Sequence, residues 1–257
     1  MFDSGQTFGA EIGASRLAGQ RASLAGTEGT LTEVGNFALA WRMGRVALEL
    51  AGTGRRLFRE ESRFTSPYPS VSLVPGDRRR DSGDYRLTTA VRVTSPSAPV
   101  VAVVRFGVRL PTTDNTTGLD RDATDLFLTI GGSGARGPFH VAAEAGLGIH
   151  GTREPSFEQE DLLLYAMRAE WRRGAWTPSV MAIGQMHGLA HPAIRGTEHL
   201  GETRAGVRFG TRRWIRIEGV RGFSSFSPSG GILLTVGIAG FARDPDGTTI
   251  SSSRSLP

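Results

Sequence analysis

Cysteine is absent from the 257 residues, so no disulfide and no thiolate metal site can staple or serve this chain. Lysine is absent as well. All 30 basic residues are arginine, which a GC-rich coding bias explains, since no chemistry demands it. Arginine stays charged in confined sites and binds carboxylates or phosphates in a bidentate way. Long apolar runs are missing too. The longest, Ala98 to Val104, has seven residues, where a spanning helix needs about 18. A helical membrane protein is thereby excluded. Met1 to Gly9 shows no basic start followed by an apolar core, so no signal peptide is read there and the chain is expected to be a mature or truncated form. The net charge of +5 is scattered and forms no stripe, which argues against nucleic acid as a partner.

What the sequence does contain is twelve short segments of period two, joined by connections that alternate between long and short. In Gln6–Ser15, Phe8, Ala10, Ile12 and Ala14 share a face opposite Glu11. In Gly35–Met43, Phe37, Leu39, Trp41 and Met43 oppose Ala38, Ala40 and Arg42. Val46, Leu48 and Leu50 then oppose Ala47, Glu49 and Ala51. The fourth and fifth segments, 85–93 and 101–110, repeat the pattern around a turn at 95–98. Thr124–Gly131 and Phe139–Ile149 flank a glycine-rich turn, Gly132–Gly137. Two more pairs flank Arg172–Gly174 and Thr211–Arg213, and Gly230–Phe241 closes the series. Pro178 weakens the ninth strand.

This pattern predicts an all-β chain: a transmembrane, antiparallel, up-and-down β-barrel of about 12 strands, with a lipid-facing residue at every second position. Short turns near 44, 96, 135, 173 and 212 fall on one side, read as periplasmic. Longer loops, roughly 16–33, 53–83, 111–123, 150–160 and 187–200, fall outside. Trp41, Trp171, Trp176 and Trp214 all lie within three residues of a short turn and are expected to form a membrane-interface girdle. Residues 1–241 form the single barrel domain on this reading, and 242–257 a polar tail. The closing segment GGILLTVGIAGF looks like the terminal strand that outer-membrane assembly machinery reads, although such barrels usually stop at the aromatic.

Phe106 to Ile130 reads FGVRLPTTDNTTGLDRDATDLFLTI. It resembles an outer-membrane β-barrel family linked by description to phenol degradation (the meta-pathway), in which a strand ends in a Leu-Pro-Thr-Gly-Asp-like corner and a Thr-Asp opens the next strand. Leu110, Pro111, Thr112 and Asp114 match, as do Thr124 and Asp125, while Thr113 replaces the usual glycine. The match covers about a tenth of the chain. It implies a channel for small, often hydrophobic or aromatic compounds.

If apolar faces meet lipid, the opposite faces line a lumen carrying Arg42, Arg86, Arg92, Arg105, Arg109, Arg168, Arg204, Arg208 and Arg216, with Asp125, Glu144 and Glu218 among fewer acids. Two readings follow. Arginine rings bias a pore toward anions; alternatively, ion pairs such as Arg109 with Asp125 and Arg204 with Glu218 fill a narrow barrel. The expected function is passive passage of small solutes across the bacterial outer membrane with a modest anion preference. The alternative is a closed structural or surface-binding barrel with recognition by its outer loops. Expected partners are outer-membrane lipid and lipopolysaccharide, whose phosphates the Arg78–Arg80 run could meet, a small solute and the assembly machinery. No cofactor or metal is expected: His187, His191 and His199 match no zinc spacing, and Asp114, Asp120 and Asp122 lack calcium-loop spacing. No enzyme is expected, because inward His140 has no serine at a matching position.

Overall fold

The computed structural model describes residues 6–64, 76–154, 157–188 and 196–241. The strands are β1 (Gln6–Ala22), β2 (Thr27–Met43), β3 (Val46–Arg63), β4 (Arg78–Asp81), β5 (Tyr85–Arg92), β6 (Val100–Leu110) and β7 (Asp125–Arg136). They continue as β8 (Phe139–Glu154), β9 (Phe157–Trp171), β10 (Trp176–His187), β11 (Leu200–Phe209), β12 (Arg213–Gly222) and β13 (Gly230–Phe241). Each pairs antiparallel with its neighbour, and β1 pairs with β13, so the sheet closes. Both β4 and β5 pair with β3, as two halves of one stave broken at 82–84. The result is a closed barrel of twelve staves. Closure satisfies the backbone without leaving an edge, as a bilayer requires.

The burial pattern is inverted relative to a water-soluble domain. Among the described residues the buried set holds 19 polar or charged side chains and only eight apolar ones, while Leu126, Leu128, Ile130, Ile232, Leu234 and Val236 lie exposed on the wall. Water-soluble monomers rarely expose contiguous apolar patches beyond a few hundred Å². This outer wall is a lipid-facing surface.

Tight hairpins close one rim. Gly44 (φ 59°), Gly137 (φ 58°) and Gly174 (φ 60°) take the left-handed conformation those turns need. The run Gly132–Gly137, expected to be a turn, is mostly strand: β7 continues to Arg136. Within it only Gly137 is demanded by its backbone conformation, whereas just before it a Cβ on Gly131 would lie 2.9 Å from Glu144 Cβ. Pro178 stands where β10 has left the β9 ladder, which begins at Ser179 opposite Glu170.

At the other rim the strands run well past the expected boundaries. β1 reaches Ala22, β2 begins at Thr27 and β3 reaches Arg63, so the loops expected at 16–33 and 53–83 are much shorter. Gly35 (φ 73°) bulges out of β2 against β1, whose pairing passes from Gly13–Asn36 to Ala14–Val34, while β2 and β3 stay in register through Asn36–Thr53 and Val34–Arg55. Side-chain parity flips there. Above it Glu33 and Arg56 face inward, and Val34 and Arg55 face outward.

Trp41, Trp171 and Trp176 stand on the lipid face at the hairpin rim, 55%, 40% and 58% exposed. Trp214 does not join them. Ile215 and Ile217 are outward, so Trp214 shares the inward face with Arg216, over which its ring lies at 5.1 Å. Pro67, Pro69, Pro75, His191 and the tail 242–257 lie outside the described residues.

Candidate functional site

The interior is lined by charges that the strand register sorts into pairs. Arg105 bridges Glu49 on β3 and Glu144 on β8, the latter at 3.7 Å. Arg168 meets Glu170 at 2.8 Å, and Arg216 meets Glu218 at 3.0 Å and Glu11 at 3.4 Å. Arg204 pairs with Glu202, not with the expected Glu218. The ladder explains the change, because it sets Val220 opposite Arg204 and leaves Glu218 two residues from Arg216 on the same face. Near the hairpin rim Arg92 donates to the carbonyls of Ser95 (2.7 Å) and Pro96 (3.2 Å), and Arg42 donates to that of Gly44 (3.1 Å). Arg208 donates to Thr177 Oγ1 at 3.5 Å.

Arg86 is different. It faces the lumen directly opposite Arg109, rests over the Phe127 ring at 5.1 Å, and makes no ion pair among the described residues. Like charges across a ladder repel. Here Arg109 is compensated by Asp84 (3.4 Å), Asp120 (3.1 Å) and Asp125 (2.7 Å), which leaves Arg86 as the exposed positive group.

The connection 111–124 supplies the centre of that network. Asp84 accepts from Thr112 N–H (3.0 Å) and the Thr113 hydroxyl (3.2 Å), and Asp81 accepts from Asp114 N–H (3.1 Å). The Leu110–Asp114 corner is thereby pinned over the barrel mouth, and the chain drops Asp120 between Arg109 and Arg56, 2.9 Å from the latter. Arg56 also meets Glu33 at 3.1 Å. Burial alone would raise the Asp120 carboxyl, but Arg109 and Arg56 together hold it well below the usual carboxylate range. Burial, then the Asp120 charge, pushes Asp84 up.

Arg121 continues the closure. It meets Asp125 at 2.8 Å, and its aliphatic stem packs on Gly196 (φ 86°), where a Cβ would lie 2.3 Å from Arg121 Cγ. The N–H of Gly196 in turn donates to Ser23 Oγ (3.1 Å) and Glu198 Oε1 (3.0 Å). Connections from three separate parts of the ring, β1–β2, β6–β7 and β10–β11, thus meet over the opening. Beneath them lies a cavity of about 300 Å³ whose walls include Leu17, Leu31, Phe58, Leu119, Arg86 and Arg109.

Sequence reasoning missed Arg56, Glu33, Asp120, Arg121 and Arg79 as interior groups. The four-residue spacing of Arg121 from Asp125, already placed in the lumen, could have flagged Arg121; Arg56 was hidden by the parity flip at Gly35. His187 and His199 lie with ring centroids 4.1 Å apart, and among the described residues no group of three or more potential metal ligands forms.

No family model and no curated protein matches the chain in sequence. Solved structures do match in shape. An outer membrane channel from Pseudomonas putida F1 aligns over 93% of this chain and 97% of its own, with 14% identity and a TM-score of 0.62. The transport unit of the autotransporter AIDA-I from Escherichia coli aligns over 94% and 93%, with 12% identity and a TM-score of 0.50. Both likenesses show that the chain has the fold of an outer-membrane β-barrel.

Proposed function

We propose that the protein is a channel of the bacterial outer membrane through which small solutes pass passively, with a modest preference for anions. One observation carries this reading: a polar, charged interior holds a cavity into which Arg86 presents a guanidinium that makes no ion pair among the described residues. An anion entering the lumen meets a guanidinium without an ion-pair partner among the described residues, whereas Glu33, Asp120 and Asp125 already hold arginines. The terminal strand Gly230–Phe241, closing on an aromatic, suits delivery by the barrel assembly machinery.

A second reading is favoured by the loop closure. With Arg121, Gly196 and Ser23 joined over the mouth, the barrel would act as a closed scaffold whose outer loops recognise a partner. Planar-bilayer recording under a potassium chloride gradient separates the two. A conducting pore with a chloride-leaning reversal potential supports the first. Absence of conductance leaves the second, and a cation-leaning potential removes the arginine argument. Adding phenol to the solutes offered in a liposome-swelling assay tests the link that the 106–130 resemblance implies.

A further inference from the structure

Strand β4 divides the run Arg78–Arg80 between the two sides of the wall. Arg79 turns inward, 5% exposed, and donates to Thr27 Oγ1 (3.0 Å) and Glu60 Oε2 (2.8 Å). Arg78 and Arg80 turn outward and are exposed. On β3 the inward Arg56, Phe58 and Glu60 force Arg55 and Arg59 outward, and both are exposed. Arg59 lies directly opposite Arg78, and Arg80 lies opposite Leu57. Thr32 links Leu57 to Arg16 of β1, which is also exposed. Five arginines therefore stand together on the outer wall of neighbouring staves. None of them makes an ion pair among the described residues. The outward carboxylate nearby, Glu61, accepts a hydrogen bond from Thr30 Oγ1 at 2.7 Å.

Their height on the wall identifies what faces them. A strand rising about 3.3 Å per residue and tilted about 40° climbs about 2.5 Å per residue, so an apolar belt about 25 Å tall takes roughly ten residues of β3 counted from Val46. Leu48 and Leu50 stand within that belt. Arg55 falls at its upper edge and Arg59 about 10 Å higher, which is the depth of lipid headgroups on the loop side. Arginines opposed across a ladder destabilise it unless a counter-charge intervenes.

We propose that this patch binds the phosphorylated headgroup of an outer-leaflet lipid of the lipopolysaccharide class. Arginine grips phosphate directly and in a bidentate way, so the contact needs no bridging divalent cation. The proposal rests on the membrane reading of the wall and is independent of whether the lumen conducts.

The test uses the full chain folded in lipopolysaccharide-free detergent, with EDTA present, and measures binding of bisphosphorylated lipid A by native mass spectrometry. Wild type is expected to retain lipid A, and the R59Q/R78Q/R80Q variant to bind on the order of a hundredfold more weakly, roughly fivefold per arginine. Arg221→Gln, an exposed arginine on β12, should bind as wild type does, and unchanged electrophoretic heat-modifiability establishes that each variant is folded. Equal binding by the triple variant overturns the site, as does equal binding of dephosphorylated lipid A. Loss of wild-type binding on adding EDTA overturns the direct grip. Competition by inorganic phosphate at concentrations equal to the lipid overturns the lipid as its occupant. Conductance of the triple variant in phosphatidylcholine bilayers reports on the channel separately, so either reading can fail alone.

Discussion

Arg109 Nε lies 2.7 Å from Asp125 Oδ2 across the β6–β7 ladder, and the same carboxylate oxygen holds Arg121 at 2.8 Å. The Arg109 approach is an ion pair without hydrogen-bond alignment, so its strength is mainly electrostatic. Asp125 is only 3% exposed and compensates two confined guanidiniums.

Asp125→Asn keeps the volume and removes the charge. Breaking a buried pair by removing one partner typically destabilises by about 3 kcal/mol or more. Urea unfolding from liposomes, followed by tryptophan fluorescence, should show a loss of that order. Limited proteolysis should also cut the 111–124 connection faster. A variant as stable as wild type would show that the network contributes no stability.

The loop closure should resist mild acid. Asp120 sits below the ordinary carboxylate range because Arg109 and Arg56 outweigh its burial, so folding favours its charged form. A depressed acid contributes stability that is present above its unfolded pKa, about 3.9, and lost as pH falls through the folded value. Asp84, pushed up, takes its proton first, and Arg109 still keeps Asp120 and Asp125. Single-channel conductance is therefore expected to be flat between pH 7 and 5 and to rise only well below the ordinary carboxylate pKa of about 3.9, whereas Asp120→Asn should already show the open level at pH 7. A rise between pH 7 and 5 in wild type would contradict this assignment.

Arg86→Gln isolates the one lumen charge on which the anion preference rests. A unit charge at contact distance in water is worth about 1 kcal/mol, so the chloride-to-potassium permeability ratio should fall by up to about fivefold. Phe127→Ala, which removes the ring under the guanidinium, should change the ratio less, because the charge remains. An unchanged reversal potential in Arg86→Gln would mean that selectivity arises elsewhere.

The sequence made the barrel legible wherever lipid constrains one face. Phe139, Val141, Leu147 and Ile149 alternate because every second side chain must meet hydrocarbon, and β13 was readable from Gly230 to Phe241 for the same reason. Above the belt that constraint ends. Thr27–Val34 and Thr53–Arg63 carry polar residues on both faces with only scattered apolar ones, Leu31, Val34, Leu57 and Phe58, so they read as loops although the ladder continues through them. The flip at Gly35 is invisible to a period-two count, which is why Arg56 was not placed in the lumen. Arg204 had two acids within reach, and only the register decides between Glu202 and Glu218.

Trp214 provides the most direct test of which face each strand presents. Its indole covers Gly237, where a Cβ would lie 2.3 Å from Trp214 Cζ2, and this face is the one that carries Arg216. In single-tryptophan variants reconstituted with brominated phosphatidylcholine, Trp41, Trp171 and Trp176 should be quenched by the lipid, and Trp214 should not. Acrylamide, which enters from water, should reverse the order. Gly237→Ala would push the indole off its seat, since the carbonyl of Ala10 at 2.9 Å blocks the new methyl from yielding instead. That overpacking is expected to destabilise by about 1–3 kcal/mol and to shift the Trp214 emission. Strong lipid quenching of Trp214 in the otherwise native barrel would place it back in the girdle and reverse the facing of β12, and with it the lumen position of Arg216 and Glu218.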